Sequence, residues 1–207
     1  MATESFSSSY RRWLGKRQPL DVLNGRRFTV DAVLVAAAIS EDTLSNYLRS
    51  NVGLELCSDS PGRGRSRQFC LVDVYQLALL GAFARLTSRV FFVAKDLNSI
   101  LLLGPGEMIA AERDRDRRGI TDDLSDSEVW SLFCKDIYRT PRLYHHRDTA
   151  APLFVYSDPS GISFNAGPNP FTSDPGFHNG IVVNATYLFA AVDQSLCVHL
   201  FRTESNV

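Results

Sequence analysis

The side chains best equipped to do chemistry in this chain are clustered basic residues. They fall in three groups: Arg11, Arg12, Lys16 and Arg17; Arg26 and Arg27; and Arg63, Arg65 and Arg67. A guanidinium presents a fixed fork of donors that matches phosphate or carboxylate, so grouped arginines suit an extended anion. A solvated surface is the alternative use of the same residues. Catalytic constellations are hard to assemble from the remainder. His145 and His146 are adjacent, which on a strand turns them to opposite faces. His178 falls in a loop and His199 in an apolar helix. Cys57, Cys70, Cys134 and Cys197 are far apart, with no C-x-x-C, so neither a zinc site nor a disulfide framework is indicated. Phosphate-loop, nucleophile-elbow and metal-binding patterns do not occur. The expectation is a binding protein and not an enzyme, with no cofactor and no metal.

The 207 residues are 44% hydrophobic and 22% charged, with 22 Lys+Arg against 23 Asp+Glu. This composition excludes disorder throughout and a uniformly basic coat. The near-cancellation hides an asymmetry. Residues 1–89 hold 12 Lys/Arg and 8 Asp/Glu, and residues 90–207 hold 10 and 15. A net +4 followed by a net −5 predicts two units with different partners. Met1–Leu20 is Ser- and Arg-rich, without the apolar run of a signal peptide. Ile181–Phe201 is interrupted by Asn184, Asp193, Gln194, Ser195 and His199, which predicts a buried helix rather than a membrane span. The chain is therefore expected to be cytoplasmic and without membrane contact.

The elements that must position the basic groups read as follows. Residues 1–27 form a flexible basic arm, with one short helix near Tyr10–Gly15. Asp31 is the N-cap candidate of an apolar helix, Ala32–Ile39. Ser40 then caps a second helix, Glu41–Ser50, whose first-turn carboxylates Glu41 and Asp42 complement the helix dipole. Spacing puts Leu44, Tyr47 and Leu48 on its inner face and Ser45, Asn46 and Arg49 elsewhere. This is a helix-turn-helix in outline. Leu54–Cys57 and Arg65–Phe69 alternate around the turn Ser58–Gly64, a β-hairpin with three arginines at its tip and return strand. Leu71–Leu86 and Val90–Leu103 are helical, and 104–126 is a charged linker. Within 127–207 the pattern predicts a helix at Ser127–Arg139. A hairpin, Leu153–Tyr156 with Ile162–Phe164, follows, then a loop at Asn165–Gly180, a strand at Ile181–Val183 and a closing helix, Ala185–Phe201, capped by Asn184. That helix repeats Leu188, Val192, Leu196 and Leu200 at four-residue steps. The predicted class is mainly α with small β elements: an N-terminal winged helix-turn-helix plus a C-terminal α+β domain.

Phe28–Leu103 resembles the DNA-binding domain of the MerR family of transcription regulators. The order of helix-turn-helix, wing and helix pair is reproduced. Phe28-Thr29-Val30 matches the family's opening pair. Ser40-Glu41-Asp42-Thr43-Leu44-Ser45-Asn46-Tyr47 matches the start of its recognition helix, and Arg65-Ser66-Arg67-Gln68-Phe69 with Asp73-Val74 matches the wing strand and the next helix. The sequence departs from the family at Ser45, where an arginine is usual, and at Glu41 and Asp42. These two acids either serve the helix dipole alone or accept a hydrogen bond from cytosine. A third possibility is that the helix no longer reads DNA.

The resemblance implies that the second helix enters the major groove while wing and arm hold the backbone. Asn46 then faces adenine, Arg49 guanine or phosphate, and Thr43 and Ser45 either. Arg63, Arg65 and Arg67 contact phosphate or the minor groove, and Arg26 and Arg27 extend the same surface. The expected partners are double-stranded DNA and a second copy of the chain, since one such unit touches few base pairs. Helices Ser127–Arg139 and Ala185–Phe201 are the expected dimer elements, in a C-terminal domain that dimerises or senses a small-molecule or protein effector. Residues 105–207 show neither a metal-sensing nor a drug-sensing pattern. An excisionase-like DNA-bending factor and a protein-interaction module are the alternatives to a sequence-specific regulator.

Overall fold

The computed structural model describes residues 6–17, 19–23, 26–49, 56, 66–86, 123–125, 152, 154–157 and 164–205. Its elements in chain order are α1 (Phe6–Leu14), α2 (Pro19–Leu23), α3 (Val30–Ala37), α4 (Glu41–Arg49), α5 (Leu71–Ala84), β1 (Phe154–Ser157), β2 (Phe164–Gly167), α6 (Pro170–Ser173), β3 (Val182–Asn184) and α7 (Ala185–Ser205). The described chain is mainly helical with a small antiparallel sheet.

Helix α5 dictates the packing. Its sequence, LVDVYQLALLGAFA, is apolar around nearly the whole circumference, and every residue from Leu71 to Gly81 is buried. A helix of this kind is stable only when covered on all sides. Helices α3 and α7 both pack on it, and α7 also packs on α2 and α3. One core results, in which Val22 and Leu23 of α2, Val33 of α3, Leu44 of α4, Leu77 of α5, Val155 of β1 and Phe189 of α7 belong to a single cluster.

Several polar groups inside this core are hydrogen-bonded. The Asp73 carboxylate accepts the Cys70 N–H at 2.9 Å at the start of α5, where a negative charge also meets the positive end of the helix dipole. The Tyr75 hydroxyl donates to Asp193 Oδ1 of α7 at 2.5 Å, and the Tyr75 ring lies 4.4 Å from that of Phe189. This bond joins residues 118 positions apart. Cys197, one turn along α7, is buried against the Pro19 carbonyl, and burial followed by the charge of Asp193 pushes its thiol up to about 11. A thiol held protonated in this way is a core side chain, not a nucleophile.

The sheet has strand order β2-β1-β3, antiparallel throughout, with Phe154 opposite Gly167 and Asn184, and Tyr156 opposite Asn165 and Val182. Val155 and Ser157 face inward, as a two-residue period requires. Ser157 exchanges bonds with Ile181 through its N–H and its hydroxyl, each at 2.9 Å. On the far side, Tyr156 and Phe171 both meet Phe177 edge to face.

Several expectations are met closely. Helices α4, α5 and α7 and strand β1 lie close to where the periodicity puts them, whereas β2 overlaps the expected return strand only at Phe164, and Asn184 caps α7 by accepting the Tyr187 N–H at 3.0 Å. Others are corrected. The arm expected to be flexible contains α1 and α2, fixed in place by their apolar faces. Tyr10 and Trp13 pack on Phe201, and Trp13 Nε1 donates to Glu204 at 2.9 Å. The expected loop 165–180 contains the end of β2 and helix α6, which Asn169 caps. On α7 the deepest residues are Phe189, Val192, Leu196 and Cys197, while Leu188 and Leu200 are half-buried, because α2, α3 and α5 approach from several directions. The division at residue 127 does not separate two cores, since α7 lies against the first-half helices. The helices expected at 90–103 and 127–139, most of the expected first hairpin and most of the charged linker lie outside the described residues.

Two measurements check this packing. Tyr75→Phe removes the donor to Asp193 and is expected to lower unfolding free energy by about 1–3 kcal/mol with an unchanged denaturant slope, read from urea titrations. Glu204 is held below the ordinary carboxylate value, first by the Trp13 indole N–H and then by Arg26. Its folded value is depressed, so its contribution is complete above pH 4.5 and is lost as pH falls through the lower folded value. The Trp13 indole proton resonance is expected to move across that acid window, and to stay flat there in Glu204→Gln.

Candidate nucleic-acid interface

The polar residues singled out on α4 are presented by an unusual turn. Thr29 is extended and its hydroxyl accepts the Ala32 N–H, so it caps α3 in place of the expected Asp31, which lies in the first turn instead. The helix ends at Ala37. Ala38 takes the left-handed conformation, φ 53° and ψ 45°. The Ala38 N–H bonds to the Val35 carbonyl and the Ile39 N–H to the Leu34 carbonyl, a Schellman closure in which Ile39 and Leu34 form the accompanying apolar pair. Ser40 then starts α4. Its hydroxyl accepts the Thr43 N–H at 3.1 Å and pairs with the Thr43 hydroxyl at 2.8 Å.

Two residues of α5 and its C-cap hold this turn. Arg85, just past α5, donates to the Ala38 carbonyl at 3.3 Å. Its charge also acts on Tyr47, whose hydroxyl is raised chiefly by burial. Gly81 brings α5 so close that a Cβ there would lie 2.7 Å from Ile39 Cγ2. The sequence reading missed both. The lone glycine inside an apolar helical run is the available signal for Gly81, since such a glycine marks a close approach.

Of α4 only Leu44 is fully buried. Glu41, Asp42, Asn46 and Arg49 are exposed, Thr43, Ser45 and Tyr47 half-buried. Asp42, Asn46 and Arg49 recur at steps of four and three and share one outward stripe. The stripe runs from acidic at the N-terminus to basic at the C-terminus, the order that suits the helix dipole. Thr43 is engaged in the cap. Leu48, expected on the inner face, is exposed at 37%, because the α4 interface is narrow and centred on Leu44.

The remaining candidates divide. Phe28 and Phe69, each almost fully buried, form an antiparallel bridge with N–H···O bonds of 2.8 and 2.9 Å, from which Arg27 and Arg67 lead away in opposite directions. Arg27 is exposed and Arg67 half-buried. Arg26 is turned the other way: it donates to Glu204 at 2.8 Å and to the Val22 carbonyl at 3.0 Å, so its guanidinium ties α7 to the end of α2. Arg63 and Arg65 lie outside the described residues. Among the described residues no group of three or more His, Cys, Asp or Glu side chains could hold a metal ion, and no helix is long and apolar enough to cross a membrane.

Comparison of the chain with models of known families, with curated proteins and with solved structures returns no match.

The turn offers a direct test. Ala38→Gly relieves the left-handed alanine and is expected to raise stability by about 0.5–1 kcal/mol, after the extra chain entropy of glycine is set against the relief. Gly81→Val drives two methyl groups toward Ile39 and is expected to cost about 1–3 kcal/mol. Thermal unfolding of both variants against the parent chain gives the two signs.

Proposed function

We propose that residues 28–103 form a winged helix-turn-helix of MerR type and that the protein is a sequence-specific DNA-binding transcription regulator, acting as a dimer. The observation that carries the reading is the outward stripe of α4. A capped turn and the inward Leu44 and Tyr47 hold the helix and leave Asn46 and Arg49 exposed on a fixed scaffold. A helix that reads bases in a major groove needs this: a rigid mount on one side, and exposed polar side chains on the other. The Phe28–Phe69 bridge supports the wing assignment, because it ties Phe69, where the expected return strand ends, to the residues just before α3.

Within this reading Asn46 contacts adenine and Arg49 guanine or phosphate, with Ser45 beside them. Thr43 acts mainly through the cap. Arg63, Arg65 and Arg67 bind the backbone or minor groove from the wing, with Arg27 nearby. Arg26 serves the fold through Glu204. The closing helix uses its apolar side within its own chain, so dimerisation is assigned to residues elsewhere in the second half. Any effector would act on the same half.

A second reading is favoured by one observation. Glu41 and Asp42 are both exposed at the head of α4, and carboxylates there repel phosphate. A basic protein partner would be matched by that end of the helix, which makes a protein-interaction module the alternative.

Selection of bound duplexes from a random pool separates the two. An enriched motif, with log K falling by about 0.9 per neutralised phosphate for each unit of log salt, is expected for the regulator. In that selected duplex Asn46→Ala is expected to lose about 1–3 kcal/mol and to relax one position. Arg63, Arg65 and Arg67 replaced together are expected to weaken binding to every sequence. A pool with no enrichment would favour the protein-partner reading.

A further inference from the structure

Helix α1 has two unlike sides. Tyr10 and Trp13 point inward and pack on Phe201 with ring centroids 5.7 and 5.8 Å away, and the Trp13 indole N–H is donated to Glu204. Ser7, Ser8, Arg11, Arg12, Lys16 and Arg17 are exposed. From Phe6 to Leu20 the chain has four basic residues and no Asp or Glu. Arg17 folds back on the helix end, donating to the Trp13 and Leu14 carbonyls and lying over the Trp13 ring. Ser8 and Arg12 stand one above the other at a four-residue step, and Lys16 follows in the closing turn.

We propose that this outward face of α1 is a second docking surface for duplex DNA, gripping the sugar–phosphate backbone through Ser8, Arg11, Arg12 and Lys16. The inference rests on the DNA-binding reading of α4. Exposed cationic and hydroxyl groups on one side of a helix are complementary to a row of phosphates, and they carry no information about sequence. The aromatic packing narrows the class of partner. A basic amphipathic helix that binds membranes does so by inserting its apolar face. Here that face is closed by Phe201 and Glu204. The same packing distinguishes α1 from a flexible arm that threads a minor groove, because the helix is fixed to α7, which in turn packs on α3. The grip on the backbone is therefore rigid and sequence-independent.

The test uses the full chain, a duplex carrying the selected motif, and the same duplex extended by about one helical turn on each side. Arg11→Gln, Arg12→Gln and Lys16→Gln are combined in one variant. Its affinity for the extended duplex is expected to fall at every sequence, with the slope of log K against log salt reduced by about 2–3, and the selected motif unchanged. Arg11→Lys with Arg12→Lys is expected to keep the parent slope, which separates lost charge from a disturbed helix. Equal affinity and equal slope for the parent and the triple variant would overturn the α1 surface and leave the α4 reading standing. Failure of the parent chain to bind any duplex would overturn both. Charge-dependent capture by phosphatidylserine–phosphatidylcholine vesicles, without a change in DNA binding, would also overturn it.

Discussion

Helix α5 cannot be left uncovered, and most of the architecture follows from that requirement. Its buried surface extends around the helix, and α3 can cover only part of it. Helix α7 covers another part, although it lies more than a hundred residues further along the chain. The buried bond from Tyr75 to Asp193 fixes how the two meet, because a carboxylate inside an apolar core is tolerated only where donors reach it. The unit that positions α4 therefore includes the C-terminal helix. Trp13, Arg26 and Glu204 extend the same dependence to the N-terminal end, with one carboxylate accepting from two segments.

Local signals in the sequence were sufficient for the elements and for some of their ends. Ser40 and Asn184 each precede a helical pattern and each caps it. The apolar run of α5 and the alternation at 154–157 are strong enough to survive any tertiary context. The outward placement of Asn46 and Arg49 also follows from spacing, once Leu44 is recognised as the inward residue. Asp31 and Thr29 show the limit of such signals. Both are good caps two residues apart, and the choice between them depends on where Phe28 is held, which the bridge to Phe69 decides. Ala38 shows another limit: nothing about an alanine in an alanine run announces a left-handed residue. Its conformation comes from the contact between Ile39 and Gly81, forty-two positions apart in sequence by their numbers.

The association of α1 with α7 was beyond sequence reasoning for a simpler reason. Trp13 and Glu204 are 191 residues apart, and neither belongs to a pattern that points to the other. Without that contact the Ser- and Arg-rich start reads as solvated chain, and Arg26 reads as a surface cation. With it, Arg26 becomes a structural residue and the remaining arginines acquire a fixed direction. The described cations of the N-terminal end are thereby separated into Arg26, which holds the fold, and others that face solvent.

This separation bears on the two acids of α4. An N-terminus with unopposed N–H groups is an anion site, and many DNA-contacting helices use it to hold a phosphate. Here Ser40 satisfies the Thr43 N–H, and Glu41 and Asp42 already complement the dipole. The head of α4 is thus closed to phosphate. In a DNA-binding protein the helix would then contribute discrimination through Asn46 and Arg49 but little general affinity. That affinity has to come from cations mounted elsewhere, and the wing arginines and the outer face of α1 are where the chain carries them. Under the proposed function the acidic recognition helix and the basic N-terminal helix are consequences of one arrangement: selectivity is kept on α4, and attraction to the backbone is moved off it.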